Sequence, residues 1–355
     1  MSNLHMLPAW MDKDPANDRP GTYLQADNFA RIYPMQNAQY KQFIQPSTAR
    51  KGFILKAETA IKLILGTRHA VFECRADTPL NATELLDVDQ ALLPARDYYI
   101  YACYDAEDAL NPGVRLVVSL NATYPDGFDE QTSRKIGGFH TLCASVGAIT
   151  GHPLSGFEAG DILPASLWCL THRPETCGPE GMVYVKELGL WVDIYLQSGK
   201  GAATRSAYGA TITDTQPWME HVDDLAAVGK TLLTDTEFSV AALGSNEKTN
   251  IGGSADPVTT GGHVDTAGRR MISRYGLEDC CGALWQWLDC PTANGGSAWS
   301  DLPGNKGAIY GVSNALLAGG SWGEAAHCGS RARTTDHSRA SALAGIGGRG
   351  RARSL

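Results

Sequence analysis

The chain has 355 residues, room for two or three domains at ~100–200 residues each, and its 43% hydrophobic content supplies ordinary cores. Charged residues make up 19%, below the usual ~25%, and 39 glycines are well above an average share of ~7%, a balance that favours turns and short strands over long helices. The net charge of −8, from 30 basic and 38 acidic residues, argues against a surface coated with the clustered Lys and Arg that nucleic-acid phosphates require.

Apolar runs such as Ala315–Ala318 fall far short of the ~18–20 residues that span a bilayer, so membrane insertion is not expected. The first twenty residues carry neither a basic n-region nor an apolar h-region, and the expectation is synthesis in the cytoplasm. The nine cysteines show no CxxC pair and no zinc-ligand spacing, and they read as reduced core residues.

Residues 1–48 are rich in Asn, Gln, Asp and Pro, with Trp10, Tyr23, Tyr33 and Tyr40 scattered and no sustained period. They read as a segment that orders on a partner. From Gly52 to Leu142, the runs GFILK, AIKLIL, AVFEC, YYIYACY, VRLVVSL and KIGGFH alternate with turn signals. Val114, Leu116, Val118 and Leu120 share one face at the strand period, and the spacing suggests a small β-sandwich. A Gly/Pro-punctuated connector, Gly151–Pro164, marks a boundary. Beyond it, Trp218, Val222 and Leu225 recur at helical spacing between Pro217 and Gly229, predicting one helix. Thr234 and Glu237 form a capping-box pattern leading to Phe238, Ala241 and Ala242, with Gly244 as the stop, predicting a second. Asn246–Arg269, poor in apolar residues, reads as a long surface loop, after which GALWQW, AIYGV and LLAGGSW return to strand character. This order is α+β rather than repeated βαβ. The reading divides the chain at 1–48, 49–160 and 161–355.

Familiar catalytic patterns are missing or misplaced. Gly345–Gly350 fits GxGxxG, but a dinucleotide fingerprint must open a helix inside a βαβ unit, and here the chain ends five residues later. The arginines 331, 333, 339, 349, 351 and 353 are interleaved with small apolar residues and read as structural, not as a nucleic-acid tail. No GxSxG, HExxH, Walker A or EF-hand loop occurs, and the nine histidines do not pair on a helix face. Asp193 within LWVDIYL reads as a paired structural carboxylate. Cys280-Cys281 reads as one buried and one exposed thiol. The sequons at Asn81 and Asn121 carry no meaning without secretion. No cofactor or metal is implied.

The segment Ala318–Leu355 is the most distinctive. At strand period, Ser321, Gly323, Ala325 and His327 fall on one side, and Trp322, Glu324, Ala326 and Cys328 on the other. The first set should then face solvent beside Asp336 and His337, with Trp322 and Cys328 buried and Trp322→Ala costing ~3–5 kcal/mol.

The blocks GGSW, CGSRAR and IGGRGRARS, with GALWQW upstream, resemble the variable region of retroelement-diversified proteins, in particular those at phage tail-fibre tips. RKIGGFH, SLWCLTHRP, GMVYV, LWVDIYL and GKTLLTDTEF extend the resemblance to about residues 50–355. It implies a C-terminal C-type-lectin-like domain of the formylglycine-generating-enzyme type, behind a small β-sandwich and an N-terminal assembly segment. It also implies a variable region at about 319–350, where adenine miscopying scatters Asn codons among small and polar types. Carried over by position, the diversified residues are Ser321, Gly323, Ala325, His327, Thr334, Asp336, His337, Ser341, Leu343, Gly345 and Ile346. Glu324 cannot arise that way and reads as scaffold, while Thr335, Ser338 and Ala344 are open to either origin. The implied function is non-catalytic binding of a host cell-surface receptor from a virion. Implied partners are a tail-fibre protein held through residues 1–48 and two further copies in a homotrimer. The alternatives are a bacterial cell-surface variable protein of the same fold and a formylglycine-generating-type enzyme; the latter needs paired active-site cysteines, and only Cys328 lies in this block.

Overall fold

A computed structural model describes residues 31–34, 42–65, 68–88, 90–105, 113–293, 299–301 and 308–355. Apart from 31–34 and 42–48, the assembly segment read at 1–48 lies outside these residues. The chain divides into two compact units. The first comprises residues 1–45, 52–91 and 98–137, and the second 46–51, 92–97 and 138–355.

The first unit is built of short antiparallel strands. These are β1 (Arg31–Pro34), β2 (Ile44–Pro46), β3 (Gly52–Leu55), β4 (Thr59–Leu65), β5 (Arg68–Cys74), β6 (Thr78–Asn81), β7 (Asp97–Asp105), β8 (Gly113–Ser119) and β9 (Ser133–His140). All six apolar runs of this region are strands. They form sheets ordered β1-β4-β5 and β2-β3-β6, with β7 pairing β8 from Tyr99↔Ser119 to Asp105↔Gly113. Alternation alone misjudges β8. Leu116, Val117, Val118 and Ser119 are all buried, so both faces of that strand are covered.

The second unit adds β10 (Trp168–Cys169), β11 (Met182–Val185), β12 (Leu190–Asp193), β13 (Gln197–Ser198), β14 (Arg205–Ser206) and β15 (Thr231–Leu232). It continues with β16 (Trp285–Thr292), β17 (Trp299–Asp301), β18 (Ala308–Tyr310), β19 (Asn314–Gly319), β20 (Gly329–Thr334), β21 (Ile346–Gly347) and β22 (Gly350–Arg353). Two four-stranded sheets, β11-β12-β22-β15 and β20-β19-β16-β21, carry the unit. The last strand, β22, is interior to its sheet, antiparallel to β12 on one side and β15 on the other.

Both predicted helices are present. Helix α1 (Trp218–Ala227) starts after Pro217 and buries Trp218, His221 and Leu225. Trp218 and Leu225 join Leu232, Trp287, Ala315, Leu317 and Ile346 in one cluster. Helix α2 (Asp235–Ala241) has the full capping box. Glu237 Oε2 accepts the Thr234 N–H at 2.8 Å, and Thr234 Oγ1 accepts the Glu237 N–H at 3.4 Å. Two bonds thereby answer amides that a helix start leaves without partners. Its face, Phe238 and Ala241, enters the main core with Val183, Val192, Ile194 and Leu288.

Two expectations are corrected. Residues 246–269 are not a simple surface loop, because Asn246, Asn250, Ile251, Thr260 and Asp265 are buried. Their side chains replace missing ladder bonds: Asp265 accepts the backbone N–H groups of Ala267 and Arg269, both at 2.9 Å. Nor is either of Cys280 and Cys281 exposed; both lie in the core. All nine cysteines are free thiols.

Asp193 is the paired carboxylate the sequence suggests, buried 2.6 Å from Lys230 Nζ. Beside it Arg349, 1% exposed, donates to the carbonyls of Asp193 (2.8 Å), Ile194 (2.6 Å) and Glu278 (2.5 Å) and to Gln286 Oε1 (3.0 Å). This guanidinium links β12, β16 and the start of β22.

Two outcomes follow for stability. Arg349→Ala removes a buried donor from four acceptors, of which the Ile194 carbonyl keeps the Glu278 N–H, and should cost about 3–5 kcal/mol in denaturant unfolding, against about 0.5 kcal/mol or less for the exposed Arg331→Ala. His221, fully buried and bonded through Nδ1 to Gln197 Oε1 at 2.8 Å, has its pKa pushed down to about 4 by burial. The unfolded chain binds this proton near pH 6.5 and the folded chain only near 4, so the contribution is whole above 6.5 and lost as pH falls through 4. Between pH 7 and 4 the wild type should lose about 3 kcal/mol more than His221→Gln in unfolding measurements.

Candidate functional site

The candidate face is carried by the chain between β19 and β21. Its first residues are fixed by geometry. Gly320 has φ of +87°, and a Cβ there would sit 2.7 Å from Cys328 Sγ. Only glycine turns the chain out of β19 at that point. Ser321 makes a parallel bridge to Ala283. The Trp322 N–H donates to the Ala283 carbonyl at 2.8 Å, and Asn250 Nδ2 donates to the Trp322 carbonyl. The chain then turns outward into a single 3-10 turn, Ala325–His327.

This turn replaces the strand expected at Ser321–Cys328, so the period-2 division is corrected. Ser321 is buried rather than exposed, and Trp322 is half-buried against the cluster of Leu196, Ile212, Ile251 and Leu284. Gly323, Ala325 and His327 are exposed and Cys328 is buried, as expected, but Ala326 is exposed too. Glu324 does scaffold work, accepting from Trp285 Nε1 at 3.3 Å.

Beyond the turn, β20 returns along β19 with Leu317 opposite Thr334. Arg333 anchors it: Nε is 2.5 Å from Asp235 Oδ1, Nη2 donates to Ser239 Oγ at 2.6 Å, and the guanidinium lies 5.1 Å over the Phe238 ring. Glu247 accepts the Ser330 N–H at 3.2 Å and its hydroxyl at 2.5 Å. In the following loop the Arg339 N–H donates to the Ser313 carbonyl at 2.7 Å, its Nη2 to the Val312 carbonyl at 2.8 Å, and its guanidinium covers Trp218 at 5.2 Å. Ser338 donates to the Ser313 carbonyl at 3.3 Å, a structural bond.

Between these anchors Asp336 and Leu343 are exposed and Thr334, His337 and Ser341 are half-buried. Gly345 and Ile346 are corrected as surface residues. Gly345 is buried with φ of +84°, and Ile346 is 3% exposed in the Trp218–Trp287 cluster, paired in β21 with Trp285 of β16. The structure thus gathers Gly323, Ala325, His327, Thr334, Asp336, His337, Ser341 and Leu343 into the outer part of one segment, and withholds Ser321, Gly345 and Ile346. Thr335, Ala342 and Ala344 are exposed with them. Sequence reasoning missed a neighbouring feature: Trp299 and Tyr310, a cross-strand pair of β17 and β18, are 71% and 50% exposed with ring centroids 5.3 Å apart. The available signal was two aromatic residues in a Gly/Ser-rich run.

Burial pushes the Cys328 thiol up to about 11 and Cys281 well above its ordinary value, opposite to what a thiolate nucleophile requires. Among the described residues no three His, Cys, Asp or Glu side chains gather as a metal site.

His327→Ala and Asp336→Ala should stay within about 0.5 kcal/mol of wild type in unfolding measurements. Trp322→Ala, half-buried, should cost about 2–3 kcal/mol rather than the full value of a core truncation.

Comparison with known proteins places this geometry. Residues 44–169 match the family model described as the Mtd second domain. The chain is 30% identical over 266 residues to a tail fiber receptor-binding protein of Bordetella phage BPP-1, covering 68% of this chain and 67% of that one. Among solved structures it resembles the Major Tropism Determinant U1 variant, with TM-score 0.75, 26% identity, and coverage of 93% of this chain and 88% of the other. The P3c variant gives TM-score 0.74, 27% identity, and coverage of 92% and 86%. The mostly β architecture, with two short α-helices among the described residues, the C-type-lectin-like arrangement of those structures, and the match along most of the length agree: the chain belongs to the major tropism determinant family of phage tail-fibre receptor-binding proteins.

Proposed function

We propose that this chain is a non-catalytic receptor-binding protein of a phage tail fibre, which selects the host through the outer side chains of residues 321–345. The observation that carries the reading is the division of that segment. Arg333, Arg339, Ser330 and Trp322 are tied into the scaffold, while Gly323, Ala325, His327, Asp336 and Leu343 project from it. A face of small, polar and ionisable side chains on a fixed backbone can be rewritten without refolding, since exposed substitutions rarely disturb stability.

In this reading the three divisions at 1–48, 49–160 and 161–355 serve attachment, spacing and display, on a lectin scaffold of the formylglycine-generating-enzyme type. Residues 1–48 join the fibre and help assemble a homotrimer in the virion. Trimerisation suits a face drawn from varied sequences, because linking several weak sites raises avidity by ~10²–10⁴ without new contacts. The assembly contact should then avoid the variable positions.

The test exchanges Ala325, His327, Asp336, His337 and Leu343 together for the residues of a relative with different host range and measures cell adsorption of phage carrying the protein. Host choice should move with the five side chains while the melting temperature stays within about 1 °C, on the order of the shift from ~0.5 kcal/mol. Adsorption that follows the remainder of the chain would refute the assignment.

A further inference from the structure

A second site lies in the same unit, outside the variable segment. A turn (Ile149–Pro153), the end of α2's trailing loop (Leu243–Ser245), Arg269 and Arg274 line a surface cavity of about 340 Å3. That is within the ~300–1,000 Å3 range of small-molecule sites. Its charge is one-sided: two guanidiniums and no carboxylate line it, on a chain whose net charge is −8.

The nearby acids do not line the cavity, although Asp265 and Glu247 act through space on Arg269 and Glu187 on Arg274, and their oxygens are occupied by other donors. Asp265 accepts from Ala267, Arg269 and Thr249, Glu247 from Ser330, and Glu187 from the Tyr275 hydroxyl at 2.7 Å. Arg269 is held by the Gly244 and Arg270 carbonyls, which use one N–H of each terminal nitrogen and leave its other donors available. Arg274 is exposed, its backbone fixed by an N–H to the Leu243 carbonyl at 2.8 Å. The backbone of the walls and the head of Arg269 are thus in place before any ligand arrives, while the exposed Arg274 guanidinium lies 5.7 Å over the Tyr275 ring.

His152 completes the site as a neutral ring. It is 8% exposed, its Nδ1 accepts the Leu154 N–H at 3.2 Å, and its proton therefore sits on Nε2, which has no hydrogen-bond partner although the Ile272 carbonyl is near. Burial and then the charge of Arg269 lower its pKa, so it adds no competing anion and no third fixed charge. Ile149, Pro153 and Leu243 supply apolar wall. A bare ion would leave that wall unused, whereas a sugar ring presents C–H faces to it and its acidic substituent to the guanidiniums.

We propose that this cavity binds an anionic saccharide, one carrying a phosphate or carboxylate group, as a site independent of the variable face. None of the eleven diversified positions lines it. Such a site would hold the virion weakly on a charged envelope whatever receptor the variable face selects.

Titration calorimetry on the full chain tests this with glucose 1-phosphate, glucuronate, inorganic phosphate and glucose. Glucose 1-phosphate, glucuronate or both should bind, at least tenfold tighter than glucose or inorganic phosphate, and which of them binds tells phosphate from carboxylate. Arg274→Gln, chosen because the side chain is exposed and its loss leaves the fold intact, should weaken binding at least tenfold, while His327→Ala should not change it. No heat from either acidic sugar at millimolar concentration, or equal binding by Arg274→Gln, would overturn the site. Inorganic phosphate binding as tightly as the sugars would overturn the saccharide. Because His327→Ala reports on the variable face separately, failure here leaves the proposed host-selecting face untouched.

Discussion

A guanidinium removed from water must have its N–H groups answered by the protein, because each unanswered buried donor or acceptor costs ~1–3 kcal/mol. Arg349 meets that demand with acceptors drawn from residues far apart in sequence: Asp193 and Ile194, Glu278, and Gln286. Two of these acceptors lie in the two four-stranded sheets of the second unit, Asp193 in β12 and Gln286 in β16. The Gly350 N–H and Lys230 answer the Asp193 carboxylate, so the positive and negative groups at the centre are mutually satisfied. Arg349 immediately precedes the last strand, β22, which continues between β12 and β15.

Everything variable hangs from that closure. The chain leaves β19 at Gly319-Gly320 and must return to β21, where Ile346 enters the core and sits five residues from β22's centre. Between these points it is fastened at intervals. Asn250 holds the Trp322 carbonyl, Glu247 holds Ser330, Asp235 and Ser239 hold Arg333, and Trp218 lies under Arg339. The fastened side chains, Arg333 and Arg339 above all, reach neighbouring elements, whereas Gly323, Ala325, His327, Asp336 and Leu343 between them are exposed. On the proposed reading, binding specificity and fold stability fall to different side chains of one segment.

Much of this was legible in the sequence because local rules act locally. The capping box at Thr234 and Glu237, Pro217 before α1, and the six apolar runs of the first unit each became the element expected. Of the six arginines interleaved with small residues, Arg333, Arg339 and Arg349 are structural, though partners as far as 156 residues away could not be named, while Arg331 and Arg353 are exposed. Where the reading failed, a nonlocal contact overrode a local pattern. Alternation at Ser321–Cys328 implied a strand, but Gly320 and Ala325 take left-handed backbone and the segment curls into a turn. Ile346 looked interchangeable with its neighbours because nothing local shows that Trp287 and Leu317 wait for it. The loop at 246–269 looked soluble because its burial is achieved by Asn, Thr and Asp, which sequence patterns assign to water.

The central claim is that the scaffold is indifferent to the face it carries. It is tested most directly by randomising two sets of positions on the full chain and measuring the protease-resistant fraction of each library. For Gly323, Ala325, His327, Asp336 and Leu343, most variants should resist proteolysis as the wild type does; for Trp322, Arg333, Arg339 and Arg349, few should. Equal losses in the two libraries would show that face and scaffold are not separable, and would contradict this account.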